Sequence, residues 1–177
     1  MNMHISGNRR GPSFVPPADN STEKKLQKYY SDCLDSNLEG FIHHPAAFPL
    51  EWRRVRRLKW KKNAQPAGQQ PANIGLCFES GKYIKPGTEL EVEITLRGEI
   101  QKFAGRVILV KSLGEKFEIG LWLSTREAAT RIRIVEQICH IEAYLKHKRH
   151  FEGPFMSPER VAQEWISRFA SSFPSFG

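Results

Sequence analysis

Residues 89–96 alternate with a period of two. Leu90, Val92, Ile94 and Leu96 fall on one side, and Glu89, Glu91, Glu93 and Thr95 on the other. Successive side chains of a strand point to opposite faces of a sheet, so this pattern fits a strand with one face in a core and one in water. A helix cannot segregate the two sets. Phe117, Ile119, Leu121 and Leu123 repeat the pattern, and a long Ile/Val/Phe-rich stretch from Ile100 to Lys111 lies between the two. Arg97-Gly98 and residues 113–116 supply the turns. A shorter apolar strand is predicted over 73–79, closed by Ser80-Gly81, and Lys85 to Thr88 makes a further turn. Residues 49–62 supply one more strand. Strands in this number without intervening helices predict a small closed or nearly closed barrel. The expected fold class is mainly β with flanking helices: a six-stranded antiparallel barrel, one helix before it and two after.

The flanks carry a different period. Residues 1–19 are rich in Pro, Gly, Ser and Asn and read as a flexible tail. Over 20–40, Leu26, Tyr29, Tyr30, Cys33, Leu34 and Leu38 recur at helical spacing, with Asn20 and Glu23 placed as a capping box and Gly40 as a stop. Ser124 and Glu127 have the same capping spacing. Ile134, Val135, Ile138, Ile141 and Leu145 then give one apolar face up to about His150. Gly153 and Pro154 end that helix. Ser157, Pro158 and Glu159 open another, along which Val161, Trp165 and Phe169 are spaced four apart. The organisation expected is a tail at 1–19, an amphipathic helix at 20–40, a barrel at 41–124 and a helical extension at 125–177.

Charge locates a candidate site. The 177 residues carry a net +8, of which residues 41–63 hold +6, residues 126–150 hold +3 and residues 64–125 are neutral. The run from Glu51 to Lys62 contains seven bases in twelve positions, which marks an anion as partner. Arg53, Arg54, Arg56 and Arg57 offer planar forks that pair with phosphate and stack on a nucleobase. Trp52 and Trp60, interleaved with Lys59, Lys61 and Lys62, have the arrangement of a stacking platform for single-stranded nucleic acid. The bland counterpart is an edge strand kept from aggregating by its charge, with both tryptophans turned inward.

Enzymatic motifs are missing: the chain has no GxSxG, P-loop, HExxH or GxGxxG. Three cysteines, Cys33, Cys77 and Cys139, without CxxC spacing argue against both a disulfide framework and a structural zinc site. Cys139 and His140 are helix neighbours pointing about 100° apart and cannot share a ligand. His43 and His44 form a pair with no third ligand nearby in sequence, and are read as a loop pair beside the anion site. No metal and no resident cofactor are expected. With no apolar leader and no run approaching a membrane-spanning length, the expectation is a non-enzymatic cytoplasmic protein without membrane insertion.

The stretch Gln70 to Phe78 has the shape of the D/NxSxxG strand of PilZ domains, bacterial receptors for cyclic di-GMP. Lys85 to Val92, Gly105 to Val107 and Phe117 to Trp122 resemble that family's later strands, and Arg133 to Tyr144 with Ala162 to Ile166 resembles a helical extension found in some members. The resemblance implies a six-stranded barrel that grips cyclic di-GMP through an RxxxR loop and the D/NxSxxG motif. Only Gly75 matches the second motif, with Gln70 at the acid or amide position and Ala72 in place of Ser. Arg53 and Arg57 have RxxxR spacing but lie too close to Gln70 for the intervening hairpin. Aligning residues 48–50 with the family's first strand instead puts His43 and Ala47 in the arginine positions, and this alignment keeps the barrel complete. The resemblance therefore implies a signalling module with a weakened or lost nucleotide site, acting through a protein partner.

Overall fold

The computed structural model describes residues 24, 40–55, 74–123 and 125–173. The alternating segments fold as strands: β1 (Phe41–His43), β2 (Leu50–Arg54), β3 (Gly75–Ser80), β4 (Glu89–Leu96), β5 (Glu99–Leu113) and β6 (Lys116–Leu123). They form one six-stranded sheet in the order β1-β3-β6-β5-β4-β2. The predicted tail at 1–19 and the predicted helix over 21–38 fall outside the described residues, apart from residue 24.

Two features of the predicted barrel are corrected. The sheet is mixed, because β1 runs parallel to β3 while every other pair is antiparallel. It is also open: β1 and β2 are its edges, and no ladder joins them among the described residues. The connection explains the first point. After β1 the chain crosses to the far edge, forms β2, and returns to place β3 beside β1, a crossover of the length that parallel neighbours need. A strand of three residues carries too little alternation to be recognised in sequence.

The β4–β5 hairpin closes on Arg97 and Gly98, both at positive φ (51° and 85°), with Leu96 opposite Glu99. Two left-handed residues give the turn a twist that matches the strands, which is why Gly follows Arg here. The apolar set of β4 then meets Phe103 and Val107 of β5, Ile119, Leu121 and Leu123 of β6, and Leu76 and Phe78 of β3 in one buried core.

Two helices follow, α1 (Arg126–Glu152) and α2 (Pro158–Phe169), the second ending in a short 3-10 turn at Ala170–Ser172. The Thr125 hydroxyl caps α1 by accepting from the Ala128 amide at 3.1 Å. The cap is therefore one residue beyond the predicted Ser124, which is not among the described residues. The buried stripe of α1 is Ala129, Ile132, Val135, Glu136, Cys139, His140, Ala143 and Tyr144. Ile134, assigned to that face from the sequence, is exposed. It stands two residues from Ile132, about 200° around the helix. Ser157 caps α2 with Pro158 at its first turn, and Val161, Trp165 and Phe169 are buried. Trp165 meets Phe173 edge-on at 5.8 Å, and Phe173 in turn meets the His140 ring at 5.4 Å. Tyr144 donates to Glu164 at 2.7 Å, and Lys148 bridges Glu152 and Glu164 at 3.0 and 3.1 Å. No helix among the described residues is long and apolar enough to cross a membrane.

Candidate functional site

β2 carries the described part of the basic run, and its alternation separates the two arginines. Leu50, Trp52 and Arg54 share one side; Glu51 and Arg53 share the other. Trp52 is half-buried and packs against the core. Beside it lies a surface cleft of about 470 Å³ lined by Trp52, Ser80, Gly81 and Lys82. A second cleft of about 300 Å³ sits at the end of β2, lined by Val55, Gly87, Thr88, Glu89 and Arg106. Arg56, Arg57, Lys59, Trp60, Lys61, Lys62 and Gln70 lie outside the described residues.

Arg53 is exposed but engaged. It stands opposite Glu91 in the β2–β4 register, donates to it from Nε at 2.9 Å and from Nη2, and lies 3.9 Å from Glu93. The acids of β4 continue this pattern toward β5. Glu93 faces Lys102 at 2.8 Å and Glu89 faces Arg106 at 3.2 Å, each directly opposite in register. Opposite charges facing each other across strands are mutually favourable. The outward acids thus form a lattice of ion pairs that takes up Arg53 and Arg106.

Gly75 does not present an open face. A Cβ placed there would collide with the Phe41 ring and lie 2.9 Å from the Leu121 carbonyl oxygen. Gly120, across from Cys77 on β6, is seated in the same way: its Cβ would lie 2.9 Å from Leu109 Cβ and 3.1 Å from Phe41 Cε1. The two glycines make a trough in which the Phe41 ring lies, 6.1 Å from the ring of Trp122. The phenyl group fills the space a side chain at Gly75 would occupy, and at Gly120 it shares that space with Leu109.

His43 and His44 are not a loop pair, and they do not act together. His43 ends β1 and His44 follows it, so alternation sends them to opposite sides. His44 turns toward α1. Its Nδ1 is 2.9 Å from Glu136 Oε1 and its Nε2 is 3.2 Å from the Phe48 carbonyl, with both side chains buried. Burial pushes the His44 imidazole down, but the Glu136 carboxylate and the Phe48 carbonyl outweigh it, leaving it above its ordinary value. His140, one turn along α1 from Glu136, lies 2.6 Å through Nε2 from the His43 carbonyl oxygen. Burial holds its imidazole below the ordinary range, against the raising effect of Glu136. This polar seam ties β1 to the helix.

The His43 side chain meets Cys77 of β3, opposite it in register, and Glu118 of β6. Donor atoms of all three lie within 4.8 Å of one another, and His43 Nδ1 is 3.6 Å from Glu118 Oε1. Burial lowers the His43 imidazole, with Glu118 opposing and Lys111 reinforcing the shift. Burial and then Glu118 push the Cys77 thiol well up. Sequence spacing could not assemble this trio, since the three residues come from three strands. The one visible signal for the seam was Glu136 and His140 interrupting the apolar stripe of α1.

Compared with known proteins, the chain matches no protein-family model, no curated protein and no solved structure.

Proposed function

We propose that this chain is a non-enzymatic, PilZ-like signalling module whose cyclic di-GMP site is weakened or lost, and which works in the cytoplasm through a protein partner. The observation that carries this reading is the Phe41 ring lying in the seat of Gly75. In the motif that Gln70 to Phe78 resembles, glycine clears room for the nucleotide; here that room holds a side chain of the same protein. Two further observations support it. Arg53 is engaged by Glu91 and Glu93. His43, at an arginine position in the preferred alignment, has its imidazole held below the ordinary range and brings no fixed positive charge to a phosphate. Each lost charge-assisted hydrogen bond costs a ligand about 1.5–3 kcal/mol. Two such losses carry a micromolar site to the millimolar range, a difference of about 4 kcal/mol.

The helical extension offers the partner a surface. Phe151, Phe155 and Ile166 are exposed on or beside α1 and α2, Phe155 almost fully at 99%, and exposed aromatics suit protein docking. Isothermal titration of the full chain with cyclic di-GMP tests the reading: no saturation at micromolar ligand is expected. A micromolar dissociation constant that Arg53→Ala and Arg57→Ala abolish restores a receptor role and sinks the degenerate-site version. The alternative, a single-stranded nucleic-acid binder, loses support from Trp52, which packs against the core instead of standing clear for a base. It requires oligonucleotide affinity that falls with salt at a log–log slope of about 0.7 per phosphate contacted.

A further inference from the structure

We propose that His43, Cys77 and Glu118 form a binding site for a single divalent transition-metal ion of the zinc class. The inference is independent of the cyclic di-GMP reading and rests on geometry. Each residue comes from a different strand of one sheet corner. Cys77 is on the side of β3 opposite to Leu76 and Phe78, so its sulfur points away from the main core while remaining buried. Gly120, directly across on β6, has no side chain to come between Cys77 and Glu118, which lies two residues earlier on the same side.

Distances and donor types fit one ion. Tetrahedral zinc with bonds of 2.0–2.3 Å places its ligands about 3.3–3.8 Å apart. His43 Nδ1 and Glu118 Oε1 already stand at 3.6 Å, and the whole set lies within 4.8 Å, so side-chain rotation of roughly an ångström closes it. A thiolate, an imidazole and a carboxylate together select a borderline cation over calcium or magnesium, which prefer all-oxygen sites. The 3.6 Å separation of His43 Nδ1 from Glu118 is beyond hydrogen-bond length, so no hydrogen bond between them holds that nitrogen in another role.

The charges balance on binding. Cys77 loses its thiol proton to solvent as the sulfur–metal bond forms, and thiolate and carboxylate then neutralise the dication, with imidazole as a neutral donor. Lys111, opposite Glu118 on β5, is the competing cation; it is exposed and free to turn into water. The His43 and Glu118 side chains are 17% and 16% exposed, which gives the ion a path in and leaves a fourth position for water or a donor from a partner.

Cobalt(II) titration of the full chain provides the test. One equivalent is expected to produce a thiolate-to-cobalt charge-transfer band that Zn²⁺ bleaches by displacement, with one proton released per ion. The band should survive Cys33→Ser and Cys139→Ser and vanish in Cys77→Ser. Glu118→Gln and His43→Gln should each weaken cobalt binding by at least about 10-fold. These two variants keep the sulfur and nearly the same volume, so they decide the matter even if Cys77→Ser does not fold. Absence of the band, its persistence in Cys77→Ser, or unchanged affinity in both Gln variants overturns the proposal.

Discussion

At Gly75 a single methyl group would have to displace the Phe41 ring and press on the Leu121 carbonyl, which belongs to the backbone of β6 and cannot yield. Gly75→Ala is therefore expected to destabilise the fold by about 1–3 kcal/mol in urea denaturation, and the double variant with Phe41→Ala to lose less than the two single variants summed. A neutral Gly75→Ala would mean the trough is not packed as described. Glu136 poses a second residue-scale question, because it serves two histidines with opposite shifts. His44 sits above the ordinary 6.5 in the fold, so its stabilisation is complete below that value and fades as pH rises through the folded value. His43 and His140 sit below 6.5, so theirs is complete above it and is lost as pH falls toward their folded values. Glu136→Gln removes the charge that lifts His44 and leaves burial to lower it. Its loss of stability relative to the parent should be larger at about pH 5.5 than at about pH 8; an equal loss at both, or a larger one at the alkaline end, contradicts the seam's electrostatics.

At the scale of elements, legibility followed the length and regularity of the pattern. β4 and β6 alternate over eight residues each, and α2 carries a cap, a first-turn proline and a spaced apolar stripe, so all three were readable. β1 was not. Its three residues became a strand only through the parallel partner β3 and the His44–Glu136 contact, both set by segments distant in sequence. Of the face expected for α1, Val135 is buried and Ile138, Ile141 and Leu145 pack against the core, while Ile134 is exposed; isoleucines occur on both faces of the helix, and only packing decides which are covered. The basic run was legible as charge but not as partnership: the glutamates that engage Arg53 belong to β4, about forty positions away. Exposed cross-strand pairs are screened by water and add little to folding. Arg53→Ala is accordingly expected to leave the denaturation midpoint within experimental scatter, and a clear drop would show that the lattice holds the β2 edge in place.

For the whole molecule, an open mixed sheet packs β5 and β6 against α1, α2 packs in turn on α1, and a ladder of paired charges lies near β2. Near β1 it gathers buried histidines, Cys77 and Glu118. The chemistry-bearing residues thus cluster at the edge opposite the one that the charge run marked. That leaves the nucleotide question sharply posed, since the face around Gly75 is filled and Arg53 is engaged by Glu91 and Glu93. Amide chemical shifts of the ¹⁵N-labelled chain, followed during addition of cyclic di-GMP to millimolar concentration, report affinity and location together. The expected result is small, non-saturating change with Gly75 and its neighbours on β3 unmoved. Saturation in the micromolar range with large shifts at Gly75, Leu76 and Arg53 would contradict it.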